Sequence, residues 1–157
     1  MSLKHLIWAS AALALSASAA EVKTTYYQLD LGDSWHEQVQ KEQDGTLVAI
    51  YTNLATADII TIAVVPDSPL SAEQTGTKTI ANLAVQNGTA QPLTRERNYY
   101  RTDIEVQGYS GRYYFSEADG TVVSINIMNP QGQKDFTESL KLLKSLDSKV
   151  AGLFPAL

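Results

Sequence analysis

Two Asp-Gly pairs, Asp44-Gly45 and Asp119-Gly120, each stand between two runs in which apolar and polar residues alternate. An Asp-Gly pair readily supplies the two positive φ angles of a type I′ turn, and the alternation gives each flanking run one face for a core and one for solvent. The first pair joins a polar, edge-like segment, residues 36–42, to residues 46–52. The second joins residues 112–118 to 121–128, where Val123, Ile125 and Ile127 are expected inward. Both read as antiparallel hairpins, and any fold for this chain has to accommodate them.

The remaining strands follow the same period of two. Residues 24–31 place Tyr27, Leu29 and Leu31 on one face and Tyr26, Gln28 and Asp30 on the other. Residues 58–65 carry Ile60, Ile62 and Val64 on one face and Ile59 and Val65 on the other, which predicts a central strand covered on both sides. In residues 99–106, Tyr100, Thr102, Ile104 and Val106 alternate with Arg101, Asp103 and Glu105.

Two helices interrupt the strands. Ser71 and Gln74 form a capping box with Glu73 in the first turn, Ile80, Leu83 and Ala84 make a stripe, and Asn87-Gly88 closes the segment. Gly76 shifts the expected start toward Thr77. The last helix is predicted over residues 134–149, with Phe136, Leu140, Leu143 and Leu146 buried, and Leu153 and Phe154 of the tail folding onto the core. The expected class is α+β, an antiparallel sheet of about six strands with two principal helices packed on it.

Residues 1–20 are set apart from this pattern. Lys4 precedes an apolar run over residues 6–15, small residues follow from Ser16 to Ala20, and polarity jumps at Glu21. That is the build of a signal peptide, which predicts an exported, periplasmic or secreted protein with one domain over residues 21–157. The chain has no cysteine, so it can form no disulfide and offers no cysteine for lipidation. No membrane anchor is expected.

Scattered motifs resemble those of PsbP-like proteins, a group that includes the PsbP extrinsic subunit of photosystem II, a Ran-binding import factor and DcrB-like exported proteins. They are Leu29-Asp30-Leu31-Gly32-Asp33-Ser34-Trp35, the apolar strand at 59–65, Gln107-Gly108-Tyr109-Ser110-Gly111-Arg112 ahead of a hairpin, and the closing helix at 136–146. The resemblance implies a PsbP-like fold serving as a binding or assembly module, and it transfers no functional residue.

The chemistry the chain could run is narrow. His36 is the one histidine outside the leader, adjacent Ser34 and Asp33 cannot converge on it as a triad, and there is no nucleophile elbow. Without cysteine, a zinc site is not expected, and Asp30, Asp33 and Glu37 fit no calcium loop. No cofactor is predicted. A net charge of −5 argues against nucleic acid as a partner. The cluster Arg95, Arg97 and Arg101 is interleaved with Glu96, Asp103 and Glu105, as on a salt-bridged strand surface.

Tyrosine is left as the handle. The pairs Tyr26-Tyr27, Tyr99-Tyr100 and Tyr113-Tyr114 each put one ring on either side of a strand, and the alternation points Tyr26, Tyr99 and Tyr114 outward. With Arg101 they make the expected binding residues, since tyrosine and arginine are favoured at protein interfaces. The predicted function is a non-catalytic exported binding or accessory module whose partner is another protein. The alternatives are an immunity-type protein that neutralises a toxic effector by binding it, and a hydrolase in which two carboxylates meet in space.

Overall fold

The computed structural model describes residues 21–130 and 132–157; the leader expected at residues 1–20 lies outside the described residues. The strands are β1 (Glu21–Lys23), β2 (Tyr27–Asp30), β3 (Trp35–Gln43), β4 (Thr46–Asn53) and β5 (Ile59–Val65), followed by helix α1 (Ala72–Val85). Then come β6 (Thr89–Ala90), β7 (Thr94–Glu96), β8 (Tyr99–Val106), β9 (Tyr109–Ala118), β10 (Thr121–Asn129), helix α2 (Thr137–Lys144) and β11 (Asp147–Ser148). One sheet of eight strands runs β3-β4-β5-β10-β9-β8-β6, with β7 also on β8; a second, of three, runs β1-β2-β11.

This corrects the expected fold class. The molecule is mostly antiparallel sheet, with more strands than predicted, a small second sheet, and only two helices among the described residues. The hairpins are where the turn residues put them. Asp44, Gly45, Asp119 and Gly120 all have positive φ, and Leu47 pairs Glu42 while Thr121 pairs Ala118. The predicted closing helix is the element that shrank. Asp135 Oδ1 accepts from the Thr137 amide at 3.0 Å and starts α2 late, while Asp147 and Ser148 pair with Gln28 and Tyr27 and end it early. Strand pairing overrode helical periodicity there.

The core lies on one face of the large sheet. Leu47, Ala49 and Tyr51 of β4, Ile60, Ile62 and Val64 of β5, and Val123, Ile125 and Ile127 of β10 are buried in register. Tyr27 and Leu29 of β2, Leu142 and Leu143 of α2, and Leu153 and Phe154 of the tail belong to the same core. The Tyr27 and Tyr51 hydroxyls share a buried hydrogen bond of 2.6 Å, so neither leaves a polar atom stranded.

The opposite face is covered at one end. Helix α1 packs on β8, β9, β10 and β6, starting at Ala72 with the predicted Ser71–Gln74 capping box intact. Gly76 is the point of closest approach: a Cβ there would lie 2.9 Å from Leu93 and 3.1 Å from Phe115. That glycine brings the helix down onto the sheet and does not delay its start. Over β4 and β5 this face stays half-buried at Val48, Ile50, Ile59 and Ala63. Strand β5 is central, as expected, but it is fully covered on one side only.

Candidate functional site

The β8–β9 hairpin turns through Gln107 and Gly108, both at positive φ, and brings residues five and nine positions apart face to face. Asp103 stands opposite Arg112, and Glu105 opposite Ser110. Alternation then puts all four side chains on one face of the hairpin. The guanidinium of Arg112 grips Asp103 with both arms, Nε to Oδ1 at 2.6 Å and Nη2 to Oδ2 at 3.1 Å.

A second wall comes from the segment before α2. The Ser110 hydroxyl donates to the Gly132 carbonyl at 3.1 Å, and Lys134 Nζ meets Glu105 Oε1 at 2.9 Å. The Arg112 guanidinium lies over the ring of Phe136, 5.2 Å from its centroid, a cation–π contact that fixes the arginine from its other side. Strand β6 and Gln91 close the third side, with the Gln91 amide donating to the Asp103 carbonyl at 2.8 Å. Between these walls is a cleft of about 350 Å³, within the range of small-ligand sites.

Electrostatically the cleft is bipolar, with two acids and two bases alternating along it. The Arg112 guanidinium holds the Asp103 carboxyl below the usual carboxylate range, against the opposing effect of partial burial. Asp103 in turn raises the pKa of Arg112, and Glu105 raises that of Lys134. Asp103, Arg112 and Lys134 are therefore charged at neutral pH. The arrangement can exchange hydrogen bonds with a ligand that carries both signs of charge, because such a ligand replaces each contact that it displaces.

No protein-family model matches the chain, and no curated protein matches it either. A protein of Bacteroides thetaiotaomicron solved at 1.50 Å resolution aligns with 87% of this chain at 12% identity and a TM-score of 0.45. The chain spans about half the length of that protein, covering 50% of it.

The structure relocates the residues expected to bind. Tyr99 and Tyr114, predicted outward, are buried, 7% and 2% exposed, with their rings edge to face at 5.5 Å. The cause is that this stretch of sheet is covered on both faces. Helix α1 lies on one face, and the tail lies on the other, where Ser116 Oγ donates to the Leu153 carbonyl and Asn98 Nδ2 to the Phe154 carbonyl. Arg101 is half-exposed and pairs with Glu96 at 3.2 Å; the same glutamate accepts from the Tyr99 hydroxyl. Tyr26 is half-buried at the opposite edge of the large sheet, donating to the Gly45 carbonyl at the β3–β4 turn. Tyr99, Arg101 and Tyr114 thus come together, but as packing, and Tyr26 stands apart from them.

Asp103 and Glu105 were visible in the sequence only as partners for neighbouring arginines. Their true partners are Arg112 and Lys134, from the returning strand and the segment beyond β10. Folding residues 99–118 about Gln107-Gly108 places Asp103 on Arg112 by counting alone, so half of the site carried a sequence signal. Lys134 and Phe136 carried none. Among the described residues no three histidine, aspartate or glutamate side chains converge as a metal site.

Proposed function

We propose that the protein is an exported, non-catalytic binding module whose cleft takes a short bipolar segment of a partner protein. The observation that supports this reading most is the Asp103–Arg112 pair, stacked on Phe136 and followed by Glu105–Lys134 along one 350 Å³ cleft. A ligand of one charge would have to leave a cation or an anion unpaired, at a cost of about 1–3 kcal/mol or more. A segment bearing a basic and an acidic side chain meets both at once. No described helix is long and apolar enough to cross a membrane. The other arginines of the 95–101 cluster are engaged elsewhere: Arg97 donates to the Ala156 carbonyl, and Arg95 lies over Tyr100.

A hydrolase is the second reading, favoured by two carboxylates, Asp103 and Glu105, lining one cleft. The electrostatics weigh against it. A proton donor at neutral pH needs a raised pKa, whereas Arg112 moves Asp103 the other way.

The test is an NMR titration of the purified protein with a short peptide carrying one lysine and one glutamate. Amide shifts should concentrate in β8, β9 and residues 132–136, and Arg112→Ala should weaken binding by about tenfold or more, as loss of a charged hydrogen bond does. Shifts confined to other surfaces, or equal affinity in the variant, would overturn the cleft. Turnover of peptide, ester or peptidoglycan that is lost in Asp103→Asn would overturn the non-catalytic half. Export is checked by intact mass: protein recovered from the cell envelope should lack residues 1–19 or 1–20, and a retained leader would refute it.

A further inference from the structure

Among the described residues one carboxylate, that of Asp58, is buried without a cation. Asp58, in the turn that leads into β5, is 2% exposed, and among the described residues no lysine, arginine or histidine forms an ion pair with it. Its oxygens are held by neutral donors from two other elements, Asn129 Nδ2 at the end of β10 at 3.1 Å and Ser139 Oγ on α2 at 3.3 Å. The turn itself is built rigidly around it. Asn53 Oδ1 accepts from the amides of Ala55 and Thr56, and the Asn53 amide donates to the Asp58 carbonyl.

The charged groups acting on Asp58 are both acids, Asp135 just before α2 and Glu138 on it. The β4–β5 turn and β10 present only neutral groups, Asn53, Thr56 and Asn129. Ser139, the link to α2, follows closely on Gly132, Lys134 and Phe136, the residues that form one wall of the cleft.

We propose that Asp58 is a pH-sensitive latch: neutral, it keeps α2 seated on the sheet through Ser139 and Asn129, and ionised, it loosens α2 and with it the 132–136 wall of the cleft. The hydrogen bonds can form with either state of the carboxyl and favour the ionised one, but the cost of burying a charge beside two other acids runs the other way and is the larger effect. Burial is the main cause that lifts its pKa above the ordinary aspartate value, and Asp135 and Glu138 add to it, while the hydrogen bonds from Ser139 and Thr56 oppose it. The sign follows. A carboxyl whose pKa is raised in the closed state favours closure below its ordinary pKa, and that contribution is lost as pH rises through the raised value. The wall therefore stands closed in acid and gains freedom toward neutral pH. That this regulates ligand entry rests on the cleft being the binding site.

Amide hydrogen exchange of the ligand-free protein across pH 4 to 8, corrected for the intrinsic pH dependence of exchange, tests the latch. Protection in residues 132–144 should fall as pH rises, by about tenfold for each unit of pKa difference between closed and open states, while β9 and β10 keep theirs. Asp58→Asn, which keeps the shape but cannot ionise, should remove that pH dependence; Ser139→Ala should lower protection of the same segment at acid pH. Equal pH dependence in Asp58→Asn, or a loss spread evenly through the large sheet, would overturn the proposal. A second arm titrates the lysine–glutamate peptide at both ends of the range. Exchange that responds as expected, with a peptide that binds at neither pH, would keep the latch and refute the cleft as the ligand site.

Discussion

At Gly111 the neighbouring strands β9 and β10 sit closer than a side chain allows. A Cβ there would run into Met128 Sδ and would lie 2.8 Å from the Ile127 carbonyl. Methionine can move aside, but a backbone carbonyl in a paired strand cannot. Gly111→Ala should therefore cost about 1–3 kcal/mol, the usual range for overpacking, and a urea midpoint equal to wild type would show that the strands can part freely. One register position away, Arg112 makes the site's strongest contact with Asp103. Because the folded pKa of Asp103 is depressed, its contribution to stability is present above the ordinary carboxylate range and lost as pH falls through the folded value. Asp103 is 44% exposed, so that contribution is small. Urea midpoints of wild type and Asp103→Asn should separate above the ordinary carboxylate range and converge as pH falls through the lowered value of Asp103. Curves that stay parallel throughout would mean that the ion pair contributes nothing.

Among the elements, α2 departs furthest from its sequence pattern, and the departure is instructive. Phe136 and Leu143 are buried as expected, Leu140 and Leu146 are only partly so, and Leu142, outside the predicted stripe, is buried as well. Only part of that stripe is helix, because after Lys144 the chain has a strand to pair with in β2. Leu143→Ala should cost about 2–5 kcal/mol by leaving a cavity under the helix, measured by urea unfolding, and an unchanged midpoint would mean α2 is not docked. Strand β3 behaves as its composition suggested. It is a polar edge with a register shift between Glu37 and Val39, and bulges and charges of that kind blunt an edge against pairing with other chains. The outward orientation expected of Tyr99 and Tyr114 failed for the opposite reason. Period-two alternation correctly sorted Tyr99 from Tyr100, but at the start of β8, covered on both sides, neither face is an outside.

At the scale of the whole molecule, the large sheet is closed by a pairing distant in sequence. Ile60 of β5 lies opposite Ile127 of β10, with α1 and the β8–β9 hairpin folded in between. Loop closure of that length has to precede its reward, so refolding by stopped-flow dilution from urea should take milliseconds to seconds; a sub-millisecond relaxation would show that local hairpins dominate the barrier. The division of labour between sequence and tertiary structure follows from the range of the forces involved. Turn positions, strand alternation and the Ser71–Gln74 cap depend on residues within a few positions of each other, and the chain carries them openly. The strand count was low because β1, β6, β7 and β11 are two or three residues long and exist only where a partner strand is already in place. The site needed Arg112, Lys134 and Phe136 to meet Asp103 and Glu105, and no local rule connects residue 134 to residue 105. Burial of Asp58 is likewise a property of the assembled molecule, since the groups that enclose it, Asn129 and Ser139, arrive from the far end of the chain. Local chemistry wrote the hairpins; packing decided which of their faces would be core, and which charges would share a cleft.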